Sequence, residues 1–160
     1  IEDVARRAAK AGFLAIAPNA LSSLGGTPEN ADEARTKFQQ LKPEDNLQNF
    51  IKVFDYLGTR KDANGKYGCV GFYGRQPAAE DVAKIKAAVQ LHYGSLDEGV
   101  NKGIAAYEEA LKNNKVAYEL YMYEGAQHAF HNDTAPTRYN EAAAKLAWER
   151  SITFFGKYLK

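Results

Sequence analysis

The sequence predicts an α/β protein, a mainly parallel sheet flanked by helices, and three observations carry that expectation. Short apolar runs ("FLAIAP", "YGCVGFYG", "AAVQLHYG", "VAYELYMYEG") alternate with longer stretches of helical period. The helices that separate the strands, about 10 to 20 residues each, suit right-handed crossovers between parallel strands. A chain of 160 residues with 45% hydrophobic and 26% charged residues also has an ordinary globular composition, and residues 1–160 read as one domain.

In chain order, Val4, Ala5, Ala8 and Ala9 lie at helical spacing, with Gly12 as a C-terminal stop. "FLAIAP" follows as a short apolar strand ended by Pro18, and "NALSSLGGTPEN" reads as loop. Residues 30 to 41 form a short polar helix. A stronger helix follows Pro43, where Leu47, Phe50, Ile51, Phe54 and Leu57 make one apolar stripe. "KDANGKYG" is a turn and "YGCVGFYG" a strand. "AAVQLHYG" is the next strand, residues 100 to 113 a helix, "VAYELYMYEG" a strand and residues 139 to 159 a helix.

Several function classes lose support at once. Net charge is +1 and no Lys/Arg cluster lies along one face, which disfavours nucleic acid as a partner. No apolar run reaches the roughly 18 to 20 residues of a membrane span, so no membrane partner is expected and the default location is the cytoplasm. One cysteine, Cys69, cannot form an internal disulfide or build a zinc site alone, and no histidine pair stands at i, i+4 on a helix, so metal binding is not expected.

Chemistry in parallel α/β sheets gathers at the carboxyl ends of strands. Two such loops carry reactive residue types: "HYGSLDEGVN" with Asp97, and "YEGAQHAFHND" with His128. Acid and then histidine on successive strand-end loops is the chain order of a hydrolase triad after its nucleophile. There the carboxylate fixes the imidazole tautomer, and the imidazole deprotonates the nucleophile. Each residue also has a plainer reading. Asp97 could cap the helix beginning near Val100, and His128 could be a structural hydrogen-bonder. His92 and His131 read as structural, Ser95 as a turn residue, and Cys69, inside a strand, as a buried core thiol.

The chain resembles the dienelactone hydrolase family of α/β-hydrolases. The stretches that carry the resemblance are "IEDVARRAAKAGFLAIAPNALSSLGGTPE", "NGKYGCVGF", "FYGRQPAAEDVAKIKA", "HYGSLDEGVN", "YEGAQHAFHNDT" and "RYNEAAAKLAWERSITFF". It implies a reduced α/β-hydrolase-like fold, with Asp97 and His128 as triad acid and histidine. It also implies ester or enol-lactone hydrolysis without a cofactor.

The same resemblance exposes a loss. The family pattern G-F-C-x-G-G places a cysteine after the Gly-Phe pair, whereas here Phe72 runs into Tyr73-Gly74-Arg75. A deletion between two similar Phe positions, removing roughly one βα unit of about 25 residues, accounts for the join. The family's N-terminal strands, with part of the oxyanion hole, are expected to precede Ile1. Asn132 stands where dienelactone-specific members have an arginine that meets the substrate carboxylate. Removing a triad nucleophile costs on the order of 10⁶ in rate, so acyl-enzyme hydrolysis is expected to be lost. The alternatives are a binding module for a small ester or lactone, an assembly module, or a weak esterase with His128 acting as general base on water. Lost elements would leave sheet edges and apolar surface open, which points to a homodimer. Gln90 and His92, on one face of "AAVQLHYG", read as a face adapted to that pairing.

Overall fold

The computed structural model describes the backbone of residues 1–160 and every side chain except that of residue 31. The chain divides into two compact units, Ile1–Gly65 and Lys66–Lys160.

The first unit is helical. Helix α1 (Glu2–Lys10) has acidic residues in its first turn and basic ones in its last, complementing the helix dipole. Exposed pairs Arg6–Glu2 and Arg7–Asp3 reinforce it at i,i+4 spacing. A 3₁₀ turn spans Ser22–Leu24. Helix α2 (Ala31–Gln40) is capped by Asn30, whose side chain accepts from the N–H groups of Asp32 and Glu33. Helix α3 (Pro43–Thr59) begins with proline in its first turn, where the missing N–H has no intrahelical partner to lose. Leu47, Phe50, Ile51 and Phe54 of its apolar stripe are exposed. The expected strand "FLAIAP" is not formed: residues 13–18 have no regular structure, and Leu14 and Ile16 are exposed. An apolar run becomes a strand only by pairing, and no described residue pairs with this one.

The second unit is the α/β part. Strands β1 (Gly68–Phe72), β2 (Ala88–Gly94) and β3 (Tyr118–Tyr123) form a three-stranded parallel sheet in the order β1-β2-β3. The register pairs Phe72 with His92, and His92 with Tyr121. Four further helices complete the unit: α4 (Ala79–Val82), α5 (Glu98–Asn101), α6 (Ile104–Asn113) and α7 (Glu141–Leu159). The expected helix over 100 to 113 starts earlier and is two pieces, interrupted at Lys102 and Gly103.

The two faces of β2 differ in chemistry. Val89, Leu91 and Tyr93 pack with Val82, Val100, Ile104, Tyr107 and Leu111 in an apolar core. Gln90 and His92, on the opposite face, are 1% and 0% exposed and lie against α7. The expectation that this face served dimer pairing is therefore corrected: it is filled from within the chain. Gln90 Nε2 donates to Glu119 Oε2 at 2.7 Å and to the Arg150 carbonyl at 3.3 Å. Its Oε1 therefore faces His92 Nε2 at 2.9 Å, and that nitrogen carries the proton. His92 Nδ1 then accepts from the Tyr123 hydroxyl at 2.8 Å. Ser151 donates to the Ala147 carbonyl and stands 3.2 Å from His92 Nε2. Every hydrogen-bonding atom of the buried imidazole has a partner, as burial requires.

Cys69 departs from its expected place. The strand forms, but the residue is exposed. The protein packed around the sulfur still pushes the thiol pKa up, away from the reactive thiolate.

Candidate active site

The carboxyl ends of β2 and β3 are tied together by short-range necessities. Gly94 ends β2 against the next loop: a Cβ there would lie 2.4 Å from the Ala126 carbonyl oxygen and 2.9 Å from that of Gln127. Only glycine permits this approach. The carbonyl of Tyr123 then accepts from Ser95 N–H at 2.9 Å and from Ala126 N–H at 3.3 Å, while Leu96 N–H donates to Ala126 O at 3.0 Å. Ser95 Oγ accepts from Gly125 N–H at 2.9 Å, and Asn101 Nδ2 donates to the carbonyls of Gly94 and Ser95. Ser95 is thus a turn residue, as its position suggests.

This stitching brings the two candidate residues together. Asp97 Oδ2 lies 2.6 Å from His128 Nδ1. Asp97 is indeed the N-cap residue of α5, yet its side chain makes no capping bond; the helix is entered through its backbone carbonyl, which accepts from Val100 and Asn101. The carboxylate is given to the histidine instead. It is 10% exposed, whereas His128 is 49% exposed. A nearly enclosed carboxylate holding Nδ1 of an accessible ring leaves Nε2 as the edge that can exchange a proton with a bound molecule. The loop bends sharply just after the histidine, where Ala129 has a φ of +66°.

At the end of β1 the chain turns at Tyr73, with a φ of +42° and its N–H bonded to the His92 carbonyl at 2.7 Å. Its ring lies 5.0 Å from that of His128 and 5.6 Å, edge-on, from Phe130. Burial pushes the phenol pKa up. His131 packs on Phe72 and Trp148 and is not part of the pair; His92 is the buried ring of the sheet network. Sequence reasoning passed over Tyr123, Asn101 and Gly94, which hold the two loops. A tyrosine closing one strand and a glycine closing the strand before it were the only signals.

A parallel α/β sheet with a carboxylate and an imidazole on successive strand-end loops defines the class, an α/β-hydrolase-like protein. Residues 56–159 match the family model of the dienelactone hydrolase family, and the chain belongs to that family. A relative from Saccharolobus solfataricus, named "Putative carboxymethylenebutenolidase", is 25% identical over 218 residues, covering 100% of this chain and 84% of the relative. "Putative hydrolase fragment YghX" of Escherichia coli is 60% identical over 43 residues, 27% of this chain and 37% of the relative. Among solved structures, the dienelactone hydrolase-like promiscuous phosphotriesterase P91 from metagenomic libraries aligns with a TM-score of 0.53 at 20% identity. That alignment covers 58% of this chain and 43% of P91, so the chain spans less than half of that protein.

Proposed function

We propose that this chain is a dienelactone hydrolase-type protein in which the acid–histidine pair survives and the nucleophile does not. The carrying observation is Asp97 Oδ2 at 2.6 Å from His128 Nδ1, with a tyrosine ring at the β1 turn facing that imidazole. An acyl-enzyme needs a serine or cysteine presented to Nε2. Position 73 offers a phenol of raised pKa, and Cys69 lies within the strand with its thiolate disfavoured. An internal deletion is supported by the Saccharolobus alignment, which runs over 218 residues where this chain supplies 160.

The remaining site suits retention of a small ester or lactone without turnover, and the protein acts as a binding or assembly module. Support for assembly comes from the outer edges of β1 and β3, which pair with no strand among the described residues, and from the exposed stripe on α3. A second reading, weak hydrolysis with His128 as general base on water, is favoured by the exposure of that ring. Steady-state hydrolysis of a 4-nitrophenyl ester by wild type and His128→Ala separates the two. Equal rates support the inert reading, and a rate that falls with the substitution supports the second. Light scattering tests assembly: a folded species of 17.7 kDa would exclude the dimer.

A further inference from the structure

Tyr73 combines two features that a surface aromatic has no need to combine. A φ of +42° is unfavourable for a residue with a Cβ. Its side chain nevertheless stays on the imidazole, with ring centroids 5.0 Å apart and planes 58° apart, braced edge-on by Phe130. The turn is also anchored from behind, by Tyr73 N–H on the His92 carbonyl at 2.7 Å.

We propose that the Tyr73 ring is a plug, tilted against one side of the half-exposed His128 imidazole so that a water on Nε2 and an ester carbonyl beside it cannot be held together in attacking geometry. This rests on the inert reading and names what enforces it beyond the missing nucleophile. The step it blocks is simple. Water oxygen bonds to the carbonyl carbon while its proton passes to Nε2; the bond to the leaving aryloxide breaks, and the proton then neutralises the aryloxide. Asp97 stabilises the imidazolium between those transfers. No group beyond water and ester is needed.

Glycine at position 73 removes the ring and suits the positive φ. In Tyr73→Gly, hydrolysis of 4-nitrophenyl acetate should rise about a hundredfold over wild type, the lower end of what general-base catalysis supplies. The rise should vanish when His128→Ala is added. Ethoxycarbonylation of His128 by diethyl pyrocarbonate, followed by mass spectrometry, should accelerate in Tyr73→Gly and in Tyr73→Ala. It should keep the wild-type rate in Tyr73→Phe, which retains the ring. Wild-type rates of labelling and hydrolysis in both small variants, with a folded circular dichroism spectrum, would overturn the plug. Equal acceleration in Tyr73→Phe would overturn it too, by placing the effect in the hydroxyl. The inert reading fails on a different result, His128-dependent turnover by the wild type itself.

Discussion

Acid should loosen the second unit through His92, and the size of the effect follows from its surroundings. Burial, then the Arg150 charge, then His131, push the His92 pKa down from 6.5 to about 3. Protonation would charge a ring with no exposed surface. It would also turn Nδ1, which accepts from the Tyr123 hydroxyl, into a second donor. The folded pKa is depressed, so the unfolded chain binds a proton first. Stability is full above about pH 6.5 and declines as pH falls toward the folded value. At about 1.36 kcal/mol per pH unit, moving from pH 6.5 to 4.5 removes about 2–3 kcal/mol from this group alone. Urea unfolding between pH 7.5 and 4.5, followed by the fluorescence of Trp148, the one tryptophan, reports on α7 and the sheet it covers. His92→Asn keeps an acceptor for Tyr123 but cannot titrate, so its stability should vary less with pH by that amount. Identical pH dependence in the two proteins would refute the assignment of a neutral, fully partnered His92.

Other substitutions probe the loops and the thiol. Gly94→Ala should destabilise by about 1–3 kcal/mol, because its Cβ meets the Ala126 carbonyl at 2.4 Å; a thermal melt like wild type would contradict the close approach. Asn101→Ala, which removes donors to the Gly94 and Ser95 carbonyls, should cost about 1–3 kcal/mol and broaden the NMR signals of Asp97 and His128. In Asp97→Ala the low-field proton signal of His128 Nδ1 should disappear, and its persistence would show that the carboxylate is not its partner. Cys69 should react with Ellman's reagent without denaturant, being exposed, but slowly at neutral pH and faster as pH rises. Fast reaction at pH 7 would reveal an activated thiolate.

Much of the fold was legible wherever pattern and local partners agree. Leu47 to Leu57 behind Pro43 specify α3, and the β-rich runs at 68–72, 88–94 and 118–123 are strands that pair with sequential neighbours. "FLAIAP" looked no different, but its ladder partner would have to come from elsewhere, and the run itself does not encode one. Cys69 is exposed although its strand forms, because burial of a strand residue depends on what covers that face, which the alternation along the strand does not reveal. Gln90 and His92 read as a face for pairing with a second chain because alternation reveals polarity but not satisfaction; the partners that bury them, Glu119, Tyr123 and Ser151, lie 29 to 59 residues away. Loop order singled out Asp97 and His128, and the family resemblance paired them. Their closeness depends on Gly94 and Tyr123, whose roles appear only in three dimensions.

The proposal that the Asp97–His128 pair has lost its nucleophile and is chemically silent is tested most directly by a pre-steady-state measurement. Wild type and His128→Ala are mixed with a 4-nitrophenyl ester, and nitrophenol release and intact protein mass are followed together. Release without a burst, equal in the two proteins and with no acyl adduct, is the expected result. A stoichiometric burst in the wild type, lost in His128→Ala and matched by one acyl group on the chain, would contradict it and show that a nucleophile is present after all.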